Sequence, residues 1–174
     1  MAVDGSSLFP RGKCLEGKVP DDPVILKTRR TFPAAVLGAE EAPGWPTLVI
    51  QREQIQEVCR FLRDDPELGF TYLSDLCGVD YWDRDPRFEV VYHLYALSRR
   101  LRVRLKVGVP ADSCSLPSVV SVWPSANWFE REIYDMYGIT FGAHPDLRRI
   151  LTPDGFEGHP LRKDFPLRGK REQS

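Results

Sequence analysis

The sequence predicts an α+β domain, in which helices pack on a mixed or antiparallel sheet, followed by a long irregular C-terminal extension. Three observations predict this fold: apolar and basic residues alternate over 101–109, apolar residues have helical spacing over 52–63, and prolines and glycines are dense near the C-terminus. We divide the 174 residues into a flexible N-terminal arm (1–22), an α+β domain (23–142) and an extended C-terminal segment (143–174).

Two helices are predicted, one before the strands in the sequence and one after them. The first covers residues 52–63 and ends before the "DDP" stretch, because proline disfavours helix in the residue before it. Its apolar residues fall at i, i+3, i+4 and i+7: Ile55, Val58, Cys59 and Leu62. The second begins at Asn127, a good N-cap that Glu130 would complete as a capping box. Gly138 suits a left-handed C-terminal cap.

The middle of the chain predicts strands. The stretch "FTYLSDLCGVDY" begins with aromatic and β-branched residues and is expected to break at Gly78. The run "RFEVVYHLYAL" leads through a turn at "SRR" into "LRVRLKVGV", whose apolar residues face one way. The opposite face, with Arg102, Arg104 and Lys106, could contact a partner, but we interpret it as solvent-exposed. A further short strand is predicted over 118–123, "SVVSVW".

Composition indicates a soluble globular protein. The formal net charge of −1 gives no basic footprint for nucleic acid, and apolar residues make up 42% of the chain. The longest apolar run is too short to span a bilayer, and no N-terminal pattern marks a leader sequence. Cys14, Cys59, Cys77 and Cys114 lack C-x-x-C spacing, so we expect isolated reduced thiols in a cytosolic protein.

Residues that could carry catalysis or bind a metal are present, but their spacing favours structural roles. His93 lies in mid-strand, where a hydrogen-bonded structural histidine is expected. His144 and His159 lie near several carboxylates, yet they do not share a regular face as metal ligands do in H-E-x-x-H. Glu132 and Asp135 could form a carboxylate pair, although acids in a helix's first half also suit its dipole. We predict no catalytic residue and no metal site in this chain.

The C-terminal stretch "HPDLRRILTPDGFEGHPLRKDFPL" combines helix-breaking residues with many apolar ones. Its four prolines and two glycines exclude a long helix or a central strand. Disordered tails are usually poor in apolar residues, so this segment is expected to be ordered. Its alternating charges suit ion pairs and hydrogen bonds along a protein surface. We predict that it wraps a partner protein; the alternative is that it folds back over its own sheet.

Two blocks of sequence resemble the signature of a known family. The block "NWFEREIYDMYGITFGAHPDLRRIL" fits E-R-E, an acid with two apolar residues, a histidine, and a basic residue before an aliphatic pair. The block "DGFEGHPLRKDFPL" fits G-x-P-L-R-K-D-x-P. The family that these blocks resemble is the C subunit of NADH-quinone oxidoreductase, the 30-kilodalton-type subunit of respiratory complex I. The likeness extends over residues 24–170.

One position departs from the family pattern F-x-G-H-P, since Ala143 stands where the family has glycine. If that glycine has a positive φ, Ala143 would be strained, or the turn would shift onto Gly142.

The resemblance implies a role, partners and a location. It implies that the subunit itself binds no cofactor, and that NADH, FMN, iron–sulfur clusters and quinone are bound by other subunits of a proton-pumping complex. It implies that the C-terminal segment wraps the neighbouring D subunit, which with the B subunit lines the quinone cavity. The protein would lie peripherally on the cytoplasmic side of the inner membrane and meet the membrane only through the complex. The implied partner-interface residues are Glu130, Arg131, Glu132, Asp135, His144, Asp146, Arg148, Arg149, Asp154, His159, Arg162, Lys163 and Asp164.

Two other classes of function fit parts of the sequence. A related assembly, such as a ferredoxin-fed plastoquinone reductase or a membrane-bound hydrogenase, would contain a similar subunit. A stand-alone metal-dependent enzyme would use His144, His159 and Asp164 as ligands.

Overall fold

The alternating stretch over 101–109 forms the centre of the fold. In the computed structural model, which describes residues 22–40 and 44–166, this stretch is one arm of an antiparallel hairpin. The helices are α1 (Pro23–Thr31), α2 (Ile55–Asp64) and α3 (Ala126–Tyr137). The strands are β1 (Val36–Glu40), β2 (Thr47–Ile50), β3 (Tyr72–Asp80), β4 (Phe88–Ala96), β5 (Leu101–Val109), β6 (Ser115–Pro117) and β7 (Thr140–Gly142).

The β4–β5 hairpin confirms two predicted strands and the turn between them. Its register runs from Phe88 opposite Val109 to Ala96 opposite Leu101. Alternate side chains of β5 are fully buried: Val103, Leu105, Val107 and Val109. Because side chains alternate across a strand, the basic residues between them lie on the other face.

The predicted mixed sheet is confirmed. Its five strands have the order β1-β2-β5-β4-β3, in which β2 and β5 are parallel and the other neighbours are antiparallel. A separate small sheet pairs β6 with β7 in parallel. The sequence analysis missed β1 and β2. Strand β2 shows no alternation, because all four of its residues are buried.

All three helices share one hydrophobic core with the inward side chains of the sheet. The four apolar positions predicted for α2 are fully buried, as expected. Helix α1, which the sequence analysis missed, begins after Asp22, whose Oδ1 accepts the N–H groups of Val24 and Ile25 at 2.9 and 3.3 Å. Residues 1–21 of the predicted arm lie outside the described residues. The architecture is a layer of helices on a sheet.

Helix α3 does not begin as predicted. It begins at Ala126, and no side chain caps its first turn. The predicted capping box of Asn127 and Glu130 is wrong, because the Glu130 carboxyl group is buried. It accepts hydrogen bonds from the Ser118 hydroxyl and the Val119 N–H instead of reaching back to the helix start.

The end of α3 confirms the predicted glycine cap. Gly138 has a φ of 72°, in the left-handed region that favours glycine, and its N–H donates to the Tyr134 carbonyl. A Cβ at Gly138 would lie 2.5 Å from His159 Nε2 and 2.6 Å from an amino nitrogen of Arg162. Glycine is therefore required twice here, by the backbone angle and by the side chains that cross over it.

Two strand predictions need correction. Residues 118–123 form turns, and the strand in this region is β6. The Val119 N–H, which a strand would pair with a neighbour, is bound by Glu130. Strand β3 runs through Gly78 without a break. Glycine stands at this position because a Cβ would lie 2.8 Å from the Tyr137 ring of α3.

The C-terminal extension is irregular, as predicted, since residues 143–166 form turns and bends. It does not project away from the domain. Hydrogen bonds join it to α3 and to the end of β3. Residues 144–164 therefore fold back onto their own domain, but they cover mainly helix α3 and not the sheet that the alternative named. That the segment also wraps a partner stays a prediction.

Ala143 occupies the strained position that the family glycine would relieve. Its φ is 63°, whereas Gly142 has no positive φ. A residue with a Cβ costs roughly 1–2 kcal/mol in the left-handed region, while glycine gains freedom in the unfolded chain.

We expect Ala143→Gly to raise the free energy of unfolding by about 0.5–1 kcal/mol, measured by urea or thermal unfolding. Gly142→Ala is the matched control. Its added Cβ would lie 3.7 Å from the Leu116 carbonyl oxygen, an ordinary contact, so it relieves no strain. A destabilised Ala143→Gly variant would contradict the assigned turn.

Candidate partner interface

The predicted interface residues divide into two groups by burial. We name α3 together with residues 144–164 the α3–tail unit. Buried and half-buried members face the inside of this unit: Glu130, Arg131, Asp135, His144, Arg149, His159 and Arg162. Exposed members face outward: Glu132, Asp146, Arg148, Asp154, Lys163 and Asp164.

Asp135 is fully buried at the centre of the α3–tail unit. Its Oδ2 accepts three consecutive backbone N–H groups, from Ile150 at 3.0 Å, Leu151 at 2.8 Å and Thr152 at 2.9 Å. Its Oδ1 accepts the Arg149 guanidinium at 2.8 Å and the Thr152 hydroxyl. Residues 149–152 are therefore folded around one carboxylate.

Hydrogen bonding determines the charge of Asp135. Burial alone would raise the pKa of Asp135, because the ionised form loses its hydration. The Thr152 hydroxyl and the three N–H groups outweigh burial and hold this pKa well below its usual range. Asp135 is therefore ionised at neutral pH, and the tail is held by a buried anion.

Two arginines connect the helix to the tail. Arg131 donates from Nε to the Arg148 carbonyl at 3.1 Å and from an amino group to the Arg149 carbonyl at 3.3 Å. Its guanidinium also lies 5.1 Å from the centre of the Trp128 ring. Arg149 donates onward to the Gly158 carbonyl at 3.0 Å. Both arginines thus act inside this chain.

The tail also closes the last turn of α3, where an α-helix leaves carbonyl groups without partners. Three carbonyls accept tail donors: Asp135 from His159 Nδ1 at 2.9 Å, Met136 from the Leu161 N–H at 3.1 Å, and Tyr137 from Arg162 Nε at 2.5 Å. Because a carbonyl only accepts, His159 carries its proton on Nδ1. Burial lowers the pKa of His159, which keeps the ring neutral at pH 7.

A second anchor joins the two ends of the β3–β4 loop and was missed from sequence. Arg87 donates to Asp80 at 3.0 and 2.8 Å and to Asp164 at 3.3 and 3.0 Å. Asp80 also accepts the Lys163 N–H at 2.9 Å. The Arg87 guanidinium holds the pKa of Asp80 well below its usual range. Pairing of β3 with β4 could have predicted the Asp80–Arg87 contact, but not its completion by the tail.

Glu130 forms a separate buried cluster at the start of the tail. Its carboxyl group accepts the Ser118 hydroxyl and the Val119 N–H, both at 2.7 Å. His144 Nε2 lies 3.9 Å away, and His144 Nδ1 accepts the Asp146 N–H at 3.0 Å. Burial raises the pKa of Glu130 to about 7, against the two hydrogen bonds that lower it.

The outer surface of the α3–tail unit carries charges and three large apolar side chains. Trp128, Leu151 and Leu161 are 61%, 63% and 52% exposed. The Arg148–Asp146 ion pair, at 2.9 Å, is also exposed, and such pairs contribute little to stability. These outward groups are available to another protein, whereas the buried ones already have partners within this chain.

The ligands of the metal-enzyme alternative are not brought together. His144 lies beside Glu130, His159 caps α3, and Asp164 binds Arg87. Within residues 22–40 and 44–166, no group of three or more histidine, cysteine, aspartate or glutamate side chains is placed to hold a metal ion. No helix in these same ranges is long and apolar enough to cross a bilayer.

We expect Asp135→Asn to loosen the tail. The amide removes the charge opposite Arg149 and cannot satisfy the converging N–H groups as well. Breaking a buried ion pair costs about 3–5 kcal/mol, so the free energy of unfolding should fall by about 3 kcal/mol. Trypsin should also cut faster after Arg148 and Arg149.

Glu132→Gln is the matched control for Asp135→Asn, because Glu132 is exposed on the same helix. It should change the free energy of unfolding by less than about 0.5 kcal/mol. Equal unfolding energies and equal cleavage rates for the two variants would contradict the role assigned to Asp135.

The buried Glu130 should make stability depend on pH. Its pKa in the folded chain, about 7, exceeds the ordinary value of 4.5, so the folded state holds the proton more tightly. The contribution is complete below pH 4.5 and is lost as the pH rises through 7. We expect wild-type unfolding energy to fall across this window relative to Glu130→Gln. A difference that stays constant with pH would contradict the assignment.

Comparison with known proteins agrees with the motifs. A family model described as "Respiratory-chain NADH dehydrogenase, 30 Kd subunit" matches residues 48–171. Three relatives carry the name of the C subunit of NADH-quinone oxidoreductase. One from Roseiflexus sp. (strain RS-1) is 54% identical over 144 residues, 83% of each chain. One from Xanthobacter autotrophicus is 58% identical over 135 residues, 78% of this chain and 64% of the relative. One from Hyphomonas neptunium is 47% identical over 170 residues, 98% of this chain and 77% of the relative.

Solved structures share the fold. The trypsin-resistant fragment of Nqo5 has a TM-score of 0.62 and 34% identity, and the match covers 71% of this chain and 96% of the fragment. A chain of the membrane-bound sulfane sulfur reductase, an archaeal respiratory membrane complex, has a TM-score of 0.70 over 83% of this chain and 84% of that chain. Its identity of 22% supports a likeness of fold alone. Because the family model covers well over half of the sequence, this chain belongs to the family of the 30-kDa subunit of respiratory-chain NADH dehydrogenase.

Proposed function

We propose that this chain is a non-catalytic, peripheral-arm subunit of a proton-translocating NADH-quinone oxidoreductase. It would support assembly of the complex and stabilise the subunit that lines the quinone site. Family membership and the names of the relatives support a place in this oxidoreductase. In the proposed complex, NADH, FMN, iron–sulfur clusters and quinone are bound by other subunits. The chain would contact the membrane only through them, on the cytoplasmic side.

The outward apolar side chains of the α3–tail unit carry this proposal. Trp128, Leu151 and Leu161 are more than half exposed, yet the backbone N–H groups of Leu151 and Leu161 are fixed by hydrogen bonds to α3. Large apolar and aromatic side chains on a rigid support lose little freedom on docking, which favours their use as interface anchors.

The proposed partner of this surface is the D subunit of the complex, with the B subunit as a second neighbour. The exposed charged residues predicted for the interface would lie around the apolar anchors: Glu132, Asp146, Arg148, Asp154, Lys163 and Asp164. Charged residues at an interface rim fix orientation and partner choice more than affinity. The buried residues would act indirectly, by holding the anchors in place.

A related assembly with another electron donor is the second candidate. The fold is shared with a chain of the sulfane sulfur reductase, so the architecture alone does not select the donor. Relatives that are 47–58% identical are named for NADH and quinone, which favours those substrates for the complex that contains this chain.

We expect the double substitution Leu151→Asp, Leu161→Asp to lower the yield of assembled complex from native membranes at least about tenfold, since two anchors that become buried on docking each contribute about 1–2 kcal/mol. NADH–quinone activity of the membranes should fall in parallel. The isolated chain should keep its melting temperature, because both side chains are exposed.

Leu37→Asp is the matched control. Leu37 is 53% exposed, close to the 52% of Leu161, but lies in β1 outside the α3–tail unit. It should leave the complex intact. Normal assembly of the double variant would contradict the proposed docking surface.

A further inference from the structure

The outward face of the sheet carries a second cluster with the composition of a binding site. The cluster, which we name the arginine–tryptophan patch, consists of Trp45, His93, Tyr95, Arg102 and Arg104. The sequence analysis favoured a solvent-exposed face over a partner contact here. Tryptophan, tyrosine and arginine are the side chains enriched where protein interfaces bind most tightly, so the geometry of the patch decides between these interpretations.

Arg102 is held between two aromatic rings. Its guanidinium carbon lies 5.2 Å from the centre of the Trp45 ring and 5.7 Å from that of Tyr95, which is its direct cross-strand neighbour. The Arg104 guanidinium lies 5.8 Å from the same Trp45 ring. Stacking on rings fixes the plane of a guanidinium while leaving its N–H groups free to donate.

Arg104 is oriented from its other side by a histidine. Arg104 Nε donates to His93 Nε2 at 3.0 Å, so His93 accepts there and carries its proton on Nδ1. Asp75 Oδ2 lies 3.6 Å from that Nδ1, and Trp45 packs edge-on against the ring at 5.1 Å. The two terminal amino groups of Arg104 make no hydrogen bond to any residue in the described ranges.

The two arginines of the patch have no acidic partner among residues 22–40 and 44–166. Lys106, the next basic residue of β5, is paired with Glu40 at 2.8 Å and lies 4.0 Å from Glu89. Among residues 22–40 and 44–166, no carboxylate comes within 4.0 Å of Arg102 or Arg104. The sheet thus presents two oriented arginine forks, which suit the bidentate binding of carboxylates.

We propose that the arginine–tryptophan patch is a second docking surface, on which both arginines bind carboxylates of an acidic segment from a neighbouring protein subunit. It lies on the sheet, apart from the α3–tail unit, and rests on the proposed function in that the neighbour belongs to the same complex. A protein partner fits better than nucleic acid, because two arginines match one or two carboxylates of a short acidic segment. A phosphate backbone carries a charge at every nucleotide and would extend past Asp75, Glu40 and Glu89, which border the patch and have no basic counterpart to spare.

Zero-length coupling in the intact complex tests this proposal. In an Arg102→Lys variant, a carbodiimide joins the new lysine amine only to a carboxylate in direct contact, and mass spectrometry identifies both peptides. The substitution keeps the charge, so the complex should assemble. Arg60→Lys, on the exposed face of α2, is the matched control, and the native Lys106–Glu40 pair reports that coupling has worked.

We expect a cross-link from residue 102 to an aspartate or glutamate of another subunit, and at least a tenfold lower yield from residue 60. Cross-links from residue 102 only to carboxylates of this same chain would overturn the proposal, as would none at all. So would nucleic acid recovered with the chain at this patch. If the complex is recovered without the cross-link, this inference fails while the proposed function stands. If the chain is recovered alone, both fail.

Discussion

The buried negative charge of Asp135 is the constraint on which the α3–tail unit depends. A carboxylate at that depth without partners would cost several kcal/mol, so the chain must bring donors to it. Residues 150–152 do so by directing three successive N–H groups at one oxygen atom. A strand directs successive N–H groups to opposite sides, and a helix uses them internally. The irregular backbone of the tail is therefore required by the anchor and does not indicate a lack of structure.

The same segment completes the helix that it covers. The carbonyl groups at the end of α3 receive donors from His159, Leu161 and Arg162. These donors can approach only because Gly138 carries no side chain at the point where the tail crosses. Helix, cap and tail are thus mutually dependent, and a change at Asp135 or Gly138 would disturb all three. If such a change abolished assembly, the cause could be either a lost partner contact or a loosened α3–tail unit.

The spacing of apolar residues predicted those helices and strands in which one face is buried and the other is exposed. Alternation identified the β4–β5 hairpin, and helical spacing identified α2. Strand β2 was not predicted, because burial of both its faces leaves no alternation of apolar and polar residues. Helix α1 was not predicted, because its apolar pattern is short. The capping-box prediction failed because of a tertiary contact. Local spacing suggested that Glu130 caps the helix, but its carboxyl group instead accepts the N–H group of Val119, 11 residues earlier. For the site, the motifs named Asp135, His159 and Arg162, while their burial and the Asp80–Arg87 anchor depend on contacts between distant segments.

The hydrogen bonds within the α3–tail unit constrain how a partner can use it. Detaching residues 148–162 would leave Asp135 unpaired and expose three helix carbonyls, at a cost of several kcal/mol that partner contacts would have to replace. A partner that binds the segment in place avoids this cost and meets Leu151 and Leu161 already ordered. The proposed docking is therefore better described as contact with a preformed ridge than as capture of a free strap. Only the side chains on the ridge's outer surface can then distinguish one partner from another.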